Sequence, residues 1–379
     1  MRPDVEAADR RDDVRSAARG WYRAGAIERA TLEAILKDHP DDRSRARPAF
    51  RALFFLFTLV AAGSAFAVLA INEVSVGALF WVFALASIAL TEVQVGTLRR
   101  SSGGAEEATA LLAFGFSIAA FAWSLGEAPD GSFRWRVLCV SAAALAAAAA
   151  FRWGISLFGA LAAASLFLAM SFWSGARTFW VLAALALVAP LLSASVSPRL
   201  APSHRRAADA ALVIVLAALY FAVHLGSYDG GLLEGSYIAD RPGRPLHIAG
   251  TAVLPLLVLA GGILLRRPLL LRMAVILGVA SLVTLRFYVQ VAPLWVVLTV
   301  SGASAVALGM ILNRYLEAGA DRERRGFTAK PLFSERSPAR AVEAGLAMAL
   351  TPASATAGKA ERFEGAGGKF GGGGASGTY

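Results

Sequence analysis

Apolar residues in this chain gather in long runs separated by short polar clusters, not in the alternation of half-buried elements. Ten runs stand out, at 52–71, 76–97, 108–126, 136–151, 153–174, 178–197, 207–227, 246–265, 269–290 and 293–313. A helix needs about 20 residues to cross the hydrocarbon core of a bilayer, and all the runs but the fourth come near that length. The fourth is Ala-rich from Ser141 to Ala150 and is followed at once by Arg152 and Trp153. It is the weakest span; spans four and five are expected to form a tight hairpin, or one of them to be re-entrant. The pattern predicts an all-α, polytopic transmembrane helix bundle of about ten spans over residues 51–315.

The two ends read differently. In residues 1–50, Val5, Ala8, Val14, Ala17, Ala18 and Trp21 recur at roughly helical spacing, and Gly25 is placed to end that helix in a left-handed cap. Ile27, Leu32, Ile35 and Leu36 line a second short helix that stops before Pro40. Two short helices bury little by themselves, so this cytoplasmic two-helix segment is expected to pack on itself, on the membrane surface or on a partner. Residues 316–379 form a polar tail. Ser337-Pro338 opens a short helix over 338–350 with Val342, Leu346 and Leu350 on one face, and from Thr351 onward Ala, Gly, Ser and Thr predict disorder.

Composition agrees with the membrane reading. Of 379 residues 57% are hydrophobic and 17% charged, against about 25% charged in soluble domains, and the mean hydropathy is +0.57. The net charge of +10 would raise nucleic-acid binding in a soluble protein. Here the basic residues flank apolar spans, where they orient the chain and meet anionic lipid, and no basic patch with interleaved aromatics argues for nucleic acid. With the first end inside, the cytoplasmic flanks hold Arg43, Arg45, Arg47, Arg51, Arg99, Arg100, Arg152, Arg199, Arg205, Arg206, Arg266, Arg267 and a group from Arg314 to Arg325. The other side holds only Arg134, Arg136, Arg177, Arg241, Arg244 and Arg286. This bias favours an even span count with both ends cytoplasmic. Arg far outnumbers Lys, which occurs only at 37, 330, 359 and 369. With the heavy Ala and Leu usage, that suggests a GC-rich bacterial genome and an inner-membrane location. The first residues are too polar for a signal peptide, so the first span is expected to act as its own insertion signal. Cys139 is the sole cysteine, which excludes an intrachain disulfide and a cysteine-based metal cluster.

The stretch Gly20-Trp21-Tyr22-Arg23-Ala24-Gly25-Ala26-Ile27, followed by Thr31-Leu32-Glu33-Ala34-Ile35-Leu36, resembles the opening of a bacterial membrane protein family, domain of unknown function 2157. The resemblance implies a Trp-containing helix, a Gly turn, a second short helix and then many membrane spans. Its plan covers residues 10 to about 315, and it carries over no catalytic residue. The ending from Phe370 through Gly371–Gly374 to Tyr379 resembles the Gly-rich tail of some TPM-domain envelope proteins, although the TPM domain itself is absent. The same residues also read as a flexible low-complexity linker.

Ionisable groups at membrane depth are costly and are therefore the candidates for function. They are Glu92, Asp209, His224, His247 and Arg286. Glu92 lies near the cytoplasmic end of span two within reach of Arg99 or Arg100, and Asp209 lies one turn into span seven beside Arg205 and Arg206. Both read most simply as end-of-helix pairs. Glu106 and Glu107 read as solvated acids at a helix start. On the outer side, His224, His247 and Arg286 fall at a similar level with Tyr228, Asp229 and Gln290, where neighbouring helices would let them line a vestibule for an anionic or metal ligand. The plainer reading is that each histidine is interfacial and water-facing. No HExxH spacing, P-loop, GxSxG, kinase or dinucleotide signature is present, so no cofactor and no catalytic residue is assigned. Three functions compete: a non-enzymatic structural or regulatory membrane component with partners at its cytoplasmic ends, a ten-helix small-molecule transporter, and an enzyme built on the outer group.

Overall fold

The computed structural model describes residues 3–23, 25–40, 48–72, 75–97, 104–126, 131–230, 233, 243–289, 293–318, 323–324 and 327–328. Two helices, α1 (Pro3–Arg23) and α2 (Arg29–Asp38), precede the apolar region. They join through Gly25 at φ +72°, a left-handed conformation glycine adopts without a Cβ penalty. Arg15 of α1 donates to the Leu36 carbonyl at 3.1 Å and to that of His39, closing the C-terminus of α2. The two predicted N-terminal helices are therefore a hairpin.

All ten apolar runs fall on helices: α3 (Pro48–Ile71), α4 (Val76–Glu92), α5 (Ala105–Ser124), α6 (Gly131–Trp153), α7 (Ser156–Met170), α8 (Ala176–Val196), α9 (Pro202–Val223), α11 (Arg244–Leu264), α12 (Pro268–Val289) and α13 (Leu294–Glu317). A five-residue helix, α10 (Leu225–Asp229), follows α9, and a π-helical turn, Val93–Thr97, extends α4. Among the described residues eight helices are long and apolar enough to cross a membrane. The weak span is not the fourth. Helix α6 begins at Gly131 and runs 23 residues, whereas α7 has 15, about 22 Å of helix against a hydrocarbon core of about 30 Å. Gly154 at φ +68° ends α6 and Gly175 at φ +79° precedes α8, so these glycines and the turns at Ser171–Trp173 set the boundaries that hydropathy alone missed.

Helix α9 is the central post. Half of its apolar stretch is buried, whereas none of that of α3 is. Leu212, Leu216 and Tyr220 pack with Val258 of α11 and with Leu270, Met273 and Leu277 of α12. On its other side Ala211, Val215 and Leu219 meet Ala163 and Phe167 of α7 and Ala184 of α8. A Cβ at Gly159 of α7 would lie 2.1 Å from the Ala207 carbonyl oxygen of α9, so only glycine permits this approach. Large apolar side chains such as Leu56, Phe57, Leu85, Leu185, Leu256 and Val279 are exposed around the bundle, the inside-out pattern expected of a lipid-facing surface.

Polar contacts between helix ends fall into two sets. In the first, Arg51 at the start of α3 pairs with Glu107 at the start of α5, and Glu92 at the end of α4 pairs with Arg152 at the end of α6. Arg267 before α12 meets Asp209 of α9 and Ser195 of α8. In the second, Arg134 reaches the Ala122 carbonyl, Arg177 reaches that of Ala222, and Arg244 reaches that of Tyr288. The first set joins the ends expected on the cytoplasmic side and the second those expected outside, so α3 to α12 alternate in direction. Beyond α13, Glu323–Arg324 (β1) and Phe327–Thr328 (β2) form a two-residue antiparallel ladder, the only strand pairing among the described residues. The helix expected at 338–350 and the Gly-rich ending lie outside the described residues.

Candidate functional site

The outer polar group is organised by a break in α9. The helix stops at Val223, and His224 is extended (φ −72°, ψ 132°) before α10 begins. A break leaves the last carbonyls of the helix without intrahelical donors, and in an apolar setting each needs a replacement. The last three find one here. Ser227 Oγ donates to the Phe221 carbonyl, Arg177 to that of Ala222, and His247 Nδ1 to that of Val223 at 3.0 Å. Positive groups at a helix C-terminus also oppose its negative dipole end. Arg177 is buried, donates further to Ser227 O at 3.2 Å, and lies 5.2 Å from the Tyr228 ring centroid, a cation–π distance.

His224 faces α12. Its Nδ1 accepts from Ser227 N–H at 3.3 Å, so its proton sits on Nε2 and is donated to Thr284 Oγ1 at 2.6 Å. Thr284 passes its own proton to the Ala280 carbonyl, a consistent neutral tautomer. Thr251 of α11 accepts from Leu225 N–H at 2.8 Å and donates to the His247 carbonyl at 2.7 Å, which ties the start of α10 to the first turns of α11. His247 stacks on Tyr228 with centroids 3.9 Å apart, and Asp229 pairs with Arg244 at 3.3 Å.

His224 and His247 thus belong to one network, and Arg286 stands outside it. On α12 the buried stripe runs through Leu277, Ser281 and Thr284. Arg286 lies seven residues after Val279 and four after Leu282, both exposed, which puts it on the opposite stripe. Its Nε is shielded and has no hydrogen-bond partner among the described residues. Gln290 lies outside the described residues. No group of three or more His, Cys, Asp or Glu that could hold a metal occurs among those described.

Glu92 is at the other end of the bundle. Its carboxylate takes a bidentate pair from Arg152 at 2.8 Å and 2.8 Å and a third bond from Trp153 Nε1 at 2.9 Å. The pair joins α4 to α6; Arg99 and Arg100 lie outside the described residues. Asp209 likewise pairs with Arg267 at 2.7 Å, and not with its sequence neighbours, because Arg205 and Arg206 are turned towards α1. Glu106 is buried, at 3% exposure, and Glu107 is bound to Arg51, which corrects the reading of both as solvated.

The residue that sequence reasoning missed on this face is Asp9. It is 1% exposed, accepts from the backbone N–H of Ser203 at 2.7 Å and pairs with Arg206 at 2.9 Å. A carboxylate at the first turn of α9 satisfies an orphan N–H and complements the positive helix end, a capping role filled here from another helix. Asp13 pairs with Arg205 at 2.9 Å, and Arg10 donates to the carbonyls of Pro198 and Arg199. The α1–α2 hairpin is thereby fixed to the α8–α9 loop.

Comparison of the chain with protein-family models, with curated proteins and with solved structures returns no match.

Proposed function

We propose that this chain is a bacterial inner-membrane protein of ten spans with both ends in the cytoplasm, acting as a non-enzymatic structural or regulatory component through its cytoplasmic ends. The docking of Asp9 on the first turn of α9 carries this reading. It makes the N-terminal hairpin part of the bundle's cytoplasmic surface while Trp21 and Tyr22 remain exposed, open to a protein partner. The outer polar side chains support the same view, since Arg177, His247 and Ser227 are each engaged by a backbone carbonyl of the α9 break. Membership of the domain of unknown function 2157 family fits the order of hairpin and spans, and recognition of the Gly-rich tail by a partner is part of the same proposal. Complementation of a deletion strain tests it. Removal of residues 1–40, or Asp9→Ala, should abolish function while His224→Ala retains it; full function after both terminal segments are removed would contradict it.

The alternative is a small-molecule transporter with its ligand near His224, His247 and Arg286. The broken helix α9–α10 is the observation in its favour, because discontinuous helices line many transport sites. Substrate-dependent uptake into proteoliposomes that is lost with His224→Ala would support it over the first reading.

A further inference from the structure

A furrow opens on the outer half of the bundle, between the C-terminal half of α5 and the N-terminal half of α6, over Ser165 and Leu168 of α7. Its volume is about 800 Å³, within the range of about 300–1,000 Å³ usual for ligand pockets. Small residues keep it open: Gly115, Ala119 and Ala142 line it, and a Cβ at Gly115 would meet nothing within 4 Å. Its one charged lining residue is Arg134, in the first turn of α6 at the mouth. That guanidinium makes a single hydrogen bond among the described residues, Nη2 to the Ala122 carbonyl at 3.0 Å. A guanidinium has five N–H donors, and most of those of Arg134 have no partner among the described residues. Trp135 beside it is exposed and stacks on Phe172 with centroids 6.5 Å apart and planes 11° from parallel, an aromatic pair of the kind that gathers at headgroup level.

From Arg134 to Ala142 the helix rises about 12 Å, close to the hydrocarbon depth of one leaflet, about 15 Å. A furrow one leaflet deep with a cation at its mouth suits a chain anchored by an anionic group at the surface, whereas a partner helix would run the full thickness.

We propose that this furrow binds one phospholipid of the outer leaflet, its phosphate on Arg134 and one acyl chain along Leu138, Cys139 and Ala142. The assignment to the outer leaflet rests on the orientation proposed above, and the furrow's lipid is independent of the role proposed for the cytoplasmic ends. The phosphate accepts from the guanidinium in the geometry that makes arginine–phosphate contacts strong, and the chain covers apolar wall that no described protein group covers.

The test uses the full chain in nanodiscs containing a phospholipid with a photoactivatable diazirine on its acyl chain. After irradiation, adducts should map to peptides spanning 115–122 and 134–142, with one retained lipid per chain by native mass spectrometry. Arg134→Gln should lower the adduct yield about tenfold, the size of a lost charge-assisted contact. Gly115→Leu, which fills the furrow and leaves Arg134 in place, should lower it to a similar degree, and it keeps the test open if Arg134→Gln does not fold. An unchanged yield in either folded variant would overturn the proposal, as would crosslinking to a second polypeptide at these peptides.

Discussion

Asp9 accepts a hydrogen bond from the backbone of Ser203 across 194 residues of sequence, at 2.7 Å and in near-complete burial. One contact therefore ties the chain's first helix to the entry of its central span. Asp9→Ala should weaken the docking of α1 by about 2 kcal/mol, the range of a lost charged cap, and Asp9→Asn by less because an acceptor remains. Hydrogen exchange over residues 3–23 reads this out: protection should fall in Asp9→Ala while that of α9 beyond its first turn is kept.

The close approach of α7 to α9 at Gly159 makes a second prediction. Gly159→Ala places a methyl against the Ala207 carbonyl and should cost about 1–3 kcal/mol by overpacking. Gly115→Ala, where nothing lies within 4 Å, should be neutral or stabilising by up to about 1 kcal/mol. Thermal unfolding in one detergent compares the two, and equal midpoints would contradict the α7–α9 contact.

Arg177 supplies the third. Arg177→Met should leave the Ala222 carbonyl without its donor and cost about 1–3 kcal/mol, the penalty of a buried unsatisfied group. Arg177→Lys should recover part of the loss. If Arg177→Met unfolds at the parent's midpoint, the carbonyl has another donor and the account of the helix break fails.

The fourth concerns His224. Its Nδ1 accepts from Ser227 N–H and its Nε2 donates to Thr284 Oγ1. His224→Leu should leave the buried Ser227 N–H without its acceptor and cost about 1–3 kcal/mol, whereas His224→Gln, which keeps an acceptor and a donor, should recover part of the loss. Thermal unfolding in one detergent measures both, and a His224→Leu midpoint equal to the parent's would contradict the contacts described at the break.

What sequence could and could not supply follows from the range of each interaction. Each apolar run is a local signal, and all ten fall on helices. The length of α7 was misjudged because Gly154 before it and the turns at Ser171–Trp173 after it, not hydropathy, set its ends. The partners of Asp209, Arg205 and Arg206 were misjudged because sequence proximity was the only guide, while Arg267, Asp13 and Asp9 arrive from other helices, as does Arg152, the partner of Glu92 that sequence did not indicate. That His224 and His247 share one end of the bundle was legible, but Arg177 was passed over as a loop charge. Its role depends on a helix break that no proline marks, although the run His224-Leu225-Gly226-Ser227-Tyr228-Asp229 carries the small and polar residues of a turn.

Side-specific labelling tests the central claim most directly, namely that the N-terminal hairpin and the α8–α9 loop share the cytoplasmic face of an alternating bundle. With Cys139 replaced by Ala, single cysteines at Ala26, Leu200, Ser124 and Gly230 are probed with a membrane-impermeant maleimide in intact cells and in inverted vesicles. The account predicts labelling at Ser124→Cys and Gly230→Cys only from outside, and at Ala26→Cys and Leu200→Cys only in inverted vesicles. Labelling of Ala26→Cys and Leu200→Cys from opposite sides would contradict it.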